Sequence, residues 1–141
     1  MIRCPKIFSL RRLLILMKLL DTHILLAVLG DVDLTLPDSI QNELVGKSDI
    51  YVSVVSIWEV AIKHRIGKLK ISIPLKLLPE IIADQNIKVL PITTEHALAA
   101  INPELVTKDP FDRLLLGVCA SEGIKILTLD RAMVSHPLAW R

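Results

Sequence analysis

Residues 17–26 read MKLLDTHILL. An apolar run leads into Asp21, and from Thr22 onward the apolar residues return at helical spacing. That change of period predicts a buried strand over about 13–20 and a helix over 22–29, with an acid at the junction. The junction recurs downstream. VSVVSIWEVAIK (52–63) passes from a β-branched strand over 51–55 into a helix over 57–66 that carries Glu59. KDPFDRLLLG (108–117) opens a helix over 110–121 with Asp112 in its first turn. IKILTLDRA (124–132) ends a strand over 125–129 at Asp130.

Between these segments the pattern predicts a helix over 38–45, another over 75–84, a strand over 88–92 and a Thr94-capped helix over 95–100. Gly67 and Gly123 stop the helices before them. Strands alternating with helices predict an α/β fold, a parallel sheet covered on both faces. In such a sheet, ligands bind beyond the carboxyl ends of the strands. Asp21, Glu59, Asp112 and Asp130 would all lie along that edge.

Each of the four acids has a second, structural role open to it. Asp21 is placed to cap its helix. Ser56-Ile57-Trp58-Glu59 spells a capping box with Glu59 at its third helical position, and Glu59 and Lys63 form an i,i+4 pair. Asp109-Pro110 reads as an N-cap followed by proline, which puts Asp112 where the helix dipole favours an anion. Asp130 is placed to begin a turn. Capping alone would be served equally by Ser, Thr or Asn, whereas here acids recur. Converging carboxylates repel by roughly 4 kcal/mol per pair at about 4 Å and an effective dielectric of 20. A divalent cation offsets that cost. An all-oxygen donor set without His or Cys selects a hard ion, Mg²⁺ or Mn²⁺. Such an ion acidifies water and neutralises charge on a phosphoryl transition state. Thr22, Ser53, Ser56 and Thr128 stand beside the acids and are placed to orient them.

Length and composition frame this reading. The chain has 141 residues, enough for one domain with its own core, and is 52% hydrophobic but only 4% aromatic, so that core is aliphatic. Mean hydropathy of +0.52 implies a buried sheet plus an apolar surface for a partner or a second copy. Two cysteines, Cys4 and Cys119, make no disulfide framework, and Cys119 reads as a buried apolar residue. No Cys/His spacing suits zinc. The expected compartment is the cytoplasm. The net charge is +2, but residues 1–16 carry four cations and no acid, which leaves −2 for the remainder. Charge therefore does not argue for nucleic acid across the body of the chain. The cluster Lys63, His64, Arg65, Lys68 and Lys70 reads first as a solvated helix face. Residues 1–16 are expected to be an N-terminal extension, too short and too charged to span a membrane, ahead of a single domain over 17–141. Asp31-Val32-Asp33-Leu34-Thr35 spells DxDxT, the pattern of aspartate-nucleophile phosphatases. It follows a helix rather than the first strand, and reads as a loop.

Together the strings at 17–26, 52–71, 89–93, 109–123 and 126–130 resemble the PIN-domain family, and within it the VapC-type toxins of toxin–antitoxin pairs. The match covers nearly all of 17–141 in order. The resemblance implies a three-layer α/β/α sandwich around a parallel sheet. It implies Mg²⁺- or Mn²⁺-dependent endoribonuclease activity on an RNA substrate, a cognate antitoxin and a homodimer. It places the acidic site on Asp21, Glu59, Asp112 and Asp130, with Asp109 as a cap. Two departures stand out: residues 1–16 have no counterpart, and the short end SHPLAWR implies an abbreviated last edge strand. The alternatives left open are a non-catalytic α/β binding module and a phosphatase using Asp31.

Overall fold

The computed structural model describes residues 17–141. The extension expected over 1–16, and with it the first half of the strand expected over 13–20, lies outside the described residues.

Strand β1 (Met17–Leu20) is buried along its whole length, as an inner strand of a parallel sheet must be. Its side chains alternate between two cores: Leu19 joins one cluster and Leu20 the other. Strand β2 (Asp49–Ser53) pairs with one side of β1, and β4 (Lys125–Leu127) with the other. Strand β3 (Lys88–Leu90) pairs with β2. All pairs are parallel and the order is β3-β2-β1-β4. The register sets Leu20 against Leu127 and Ser53 against Leu90, so the strands finish along one edge.

On one face, helix α6 (Pro110–Glu122) packs Leu115, Leu116, Val118 and Cys119 against Leu19 and Ile126. On the other, α1 (Thr22–Val28), α2 (Asp38–Val45) and α4 (Leu78–Asp84) cover Leu20, Ile50, Val52 and Leu127. The result is the expected three-layer α/β/α sandwich, with helix α3 (Val54–Arg65) leaving the end of β2 and α5 (Thr94–Leu98) packed on α6. Cys119 is fully buried, as its apolar surroundings in the sequence predict.

Several boundaries differ from the sequence reading. Helix α3 begins at Val54, and Ser53 is its cap, accepting from the Val55 N–H at 3.0 Å. Val54 and Val55 are strand formers by propensity, but the sheet ends at Ser53 and the chain turns directly into the helix. Ser56 is therefore not a cap, and Glu59 sits in the second helical turn. At α5 the cap is Thr93 rather than Thr94, in a box completed by His96. The helix expected over 75–84 opens as a 3₁₀ turn over Leu75–Leu77, with Pro79 early in the α-helix that follows. Trp58 is half exposed at 52%, packed edge-to-face on Phe111 at 5.4 Å, and is not the core residue its bulk suggests. The last edge is abbreviated as expected: among the described residues it is a single parallel bridge between Ala139 and Ile126.

Two glycines matter to the packing. Gly123 ends α6 with φ +70°, a left-handed conformation that a side chain would strain. Gly117 lies where a Cβ would come within 2.4 Å of the His96 carbonyl oxygen, so its lack of a side chain lets α5 lie on α6.

Candidate active site

Asp21 follows β1 directly. Its main chain continues the sheet through the Asp21 N–H bond to the Leu127 carbonyl at 3.0 Å, and this ties it to the end of β4. Its Oδ2 accepts from the Thr128 hydroxyl at 2.6 Å. Thr128 Oγ1 in turn accepts from the Asp130 N–H at 3.0 Å. Asp130 Oδ1 accepts from the Ala132 N–H at 2.8 Å, so Asp130 does open the turn its sequence suggested. One hydroxyl thus joins the acids that follow β1 and β4.

Glu59 approaches from α3. The Thr22 hydroxyl, one residue past Asp21, donates to Glu59 Oε1 at 2.6 Å and is hydrogen-bonded to Ser56 Oγ at 2.9 Å. Glu59 Oε2 accepts from the Lys63 ammonium, one helical turn on. Asp112 approaches from the start of α6. Asp109 caps that helix, accepting from Phe111 N–H at 2.9 Å and Asp112 N–H at 3.3 Å. Three of the four acids are nearly inaccessible: Asp21 is 2% exposed, Glu59 5% and Asp112 7%. Carboxylates are seldom buried to this degree without a partner.

The acids act on one another. Burial pushes the Asp112 carboxyl up to about 7, and the charges of Asp109, Asp130, Asp21 and Glu59 push the same way. Burial likewise raises Asp21; the Thr128 hydroxyl and His23 oppose that, and Asp130 adds to it. The ammonium of Lys63 is raised despite its own burial, because Glu59 binds it and Asp109 and Asp112 attract it. The fold thus brings the four sequence-predicted acids into one electrostatic neighbourhood, with Asp109 as a fifth. Asp109 is both the cap expected and a strong influence on Asp112, a role its spacing did not reveal.

Among the described residues, no three His, Cys, Asp or Glu side chains are grouped closely enough to enclose an ion by themselves. An ion held here would have one or two of these carboxylates and would complete its shell with water. The donor chemistry fits such an ion, being all carboxylate, with an excess of buried negative charge that a cation offsets. Beside Asp130 opens a cleft of about 620 Å³, lined by Glu104, Thr107, Arg131 and Ser135 among others.

Other polar residues do different work. Asp31 lies past α1, not at the end of β1, and its Oδ1 accepts from the N–H and hydroxyl of Ser72 at 2.9 and 2.6 Å. It pins a loop and does not occupy the phosphatase position. Arg113 does not pair with the site acids. It holds Glu104 Oε1 at 2.6 Å and donates to the Ala99 carbonyl at 2.8 Å, bracing the segment before α6. His96 is buried, with Nδ1 accepting from Thr93 N–H at 3.1 Å and Nε2 on Glu122 at 2.7 Å. No sequence signal marked that pair, because its members stand 26 positions apart.

The likeness to known proteins follows the fold. Eight chains in solved structures match. Among them is the VapBC2 complex of Rickettsia felis bound to a DNA fragment from its promoter, which is 16% identical and covers 89% of this chain and 99% of that chain at a TM-score of 0.58. At that identity the likeness is one of fold. No curated protein matches the chain. The PIN domain family matches residues 18–136, from the strand before Asp21 to the turn beyond Asp130, and the chain belongs to that family.

Proposed function

We propose that this chain is a metal-dependent endoribonuclease and the toxin of a VapBC-type toxin–antitoxin pair. What supports the reading is that the charges of Asp21, Glu59 and Asp130 all act on Asp112, whose carboxyl is pushed up to about 7 by burial first and then by its acidic neighbours. PIN domains are in general nucleases, which supports phosphodiester hydrolysis. The fold shared with VapBC2 supports an antitoxin as partner. A homodimer, an RNA substrate and a cytoplasmic setting belong to the same reading. Among the described residues no helix is long and apolar enough to cross a membrane.

In this reading Asp21 and Asp112 hold Mg²⁺ or Mn²⁺ directly, and Glu59 and Asp130 contribute through water or orient the nucleophile. The chemistry supplied by such an ion is acidification of water and neutralisation of charge on the phosphodiester. The chain's own residues set the geometry. Thr128 fixes Asp21, Thr22 and Lys63 fix both oxygens of Glu59, and Asp109 fixes the first turn of α6. The cleft beside Asp130 gives the RNA strand room, with Arg131 at its wall for a phosphate.

An RNase assay on the full chain tests this directly. Mn²⁺ should give cleavage, and EDTA should abolish it. Full activity in EDTA would remove the metal from the reading. Binding of RNA or antitoxin without cleavage under any divalent ion would favour the non-catalytic module.

A further inference from the structure

Lys63 stands apart from the basic run it belongs to. His64, Arg65, Lys68 and Lys70 are exposed, while Lys63 is partly buried and turned toward the acids. Its ammonium bonds Glu59 Oε2 and lies 5.7 Å from the centroid of the Phe111 ring, within cation–π range. Phe111 is braced by Trp58 and lies one residue before Asp112. The ammonium is therefore held from two sides, by a carboxylate on its own helix and by a ring at the start of α6.

The consequence falls on Glu59. Its Oε1 is taken by Thr22 at 2.6 Å and its Oε2 by Lys63, so each oxygen already has a donor. An ion approaching Glu59 would meet the positive charge of the Lys63 ammonium bonded beside it. Among the described residues no ammonium is bonded to Asp21, whose carboxylate accepts from the Thr128 hydroxyl and a backbone N–H at His23.

We propose that Lys63 is a positioning residue that serves as a resident cation on the Glu59 side of the cluster, so that the site takes a single divalent ion from the Asp21 and Asp112 side. This inference rests on the metal-dependent reading above and adds to it the number of ions and the residue that sets it. It also gives Trp58 and Phe111 a role: they hold the ammonium in place.

Calorimetric titration of the EDTA-stripped full chain with MnCl₂ tests it. The wild type should bind one Mn²⁺ per chain. Lys63→Met should bind a second ion, or bind the first about tenfold more tightly, because a unit positive charge has left the cluster. Lys63→Arg, which keeps the charge, should behave as wild type; a purely structural Lys63 would not separate Met from Arg in this way. Unchanged stoichiometry and affinity in Lys63→Met, in protein that folds as wild type by circular dichroism, would overturn the role of Lys63 and leave the metal reading intact. A wild type that binds two ions would overturn it as well. A wild type that binds none removes the metal reading, and this inference with it.

Discussion

The Thr128 hydroxyl donates to Asp21 Oδ2 at 2.6 Å although the two residues are 107 positions apart. They meet because β1 and β4 are neighbours in the sheet, with Leu20 opposite Leu127. Both groups are buried. Thr128→Val keeps the shape and removes the donor. A buried bond to a carboxylate contributes about 1.5–3 kcal/mol, so the urea midpoint should fall accordingly and cleavage should weaken. Thr128→Ser should restore most of both. Equal loss in the Val and Ser variants would show that the methyl group matters and the hydroxyl does not.

Asp112→Asn should abolish cleavage while strengthening the metal-free fold at neutral pH. In the folded chain its carboxyl stays protonated up to about pH 7, mainly through burial; in the unfolded chain it ionises near pH 3.9. The folded state therefore binds more protons between about pH 4 and pH 7. Stability is fully present below that window and declines as pH rises through it. Asp21, also raised by burial, acts in the same direction. The unfolding free energy from urea titrations in EDTA should drop between pH 5 and pH 8 for wild type, and Asn at 112 should remove most of that drop. A wild-type unfolding free energy that rises over the same interval contradicts the sign.

Divalent ions should stabilise the chain through the same acids. At a free concentration of about 100 times the dissociation constant, a ligand bound only by the folded state contributes about 2.7 kcal/mol. Mn²⁺ should therefore raise the melting temperature of wild type and leave Asp112→Asn and Asp21→Asn close to their metal-free values. The check is differential scanning fluorimetry with and without EDTA, and equal shifts in all three proteins would place the ion elsewhere.

Gly117→Ala should destabilise, against the usual trend. In an open helix, replacing Gly by Ala gains about 1 kcal/mol. Here the new Cβ would lie 2.4 Å from the His96 carbonyl oxygen, a backbone atom that cannot turn aside. Overpacking of this kind costs about 1–3 kcal/mol. Thermal unfolding of the variant decides the sign, and a higher melting temperature would show that α5 yields easily.

The sequence by itself determined the alternation of strand and helix, the parallel sheet with two covered faces, and the four acids at the strand-end edge. It could do so because burial on both faces writes continuous apolar runs, and because Asp109-Pro110 and Gly123 mark helix ends through local backbone chemistry. Cys119 and the capping role of Asp109 were legible for the same reason. Boundaries decided by tertiary contacts were not. Ser53 rather than Ser56 caps α3 because the sheet ends at Ser53, and Trp58 stays half exposed with its one ring contact on Phe111 of another helix. Only the fold revealed that Thr128 holds Asp21, that Thr22 and Lys63 occupy both oxygens of Glu59, and that Arg113 serves a loop rather than the site. Periodicity fixes which face of an element is buried, but not which distant side chain it meets there. That is set by strand order and helix packing, and it brings the charges of Asp21, Glu59 and Asp130 to bear on Asp112.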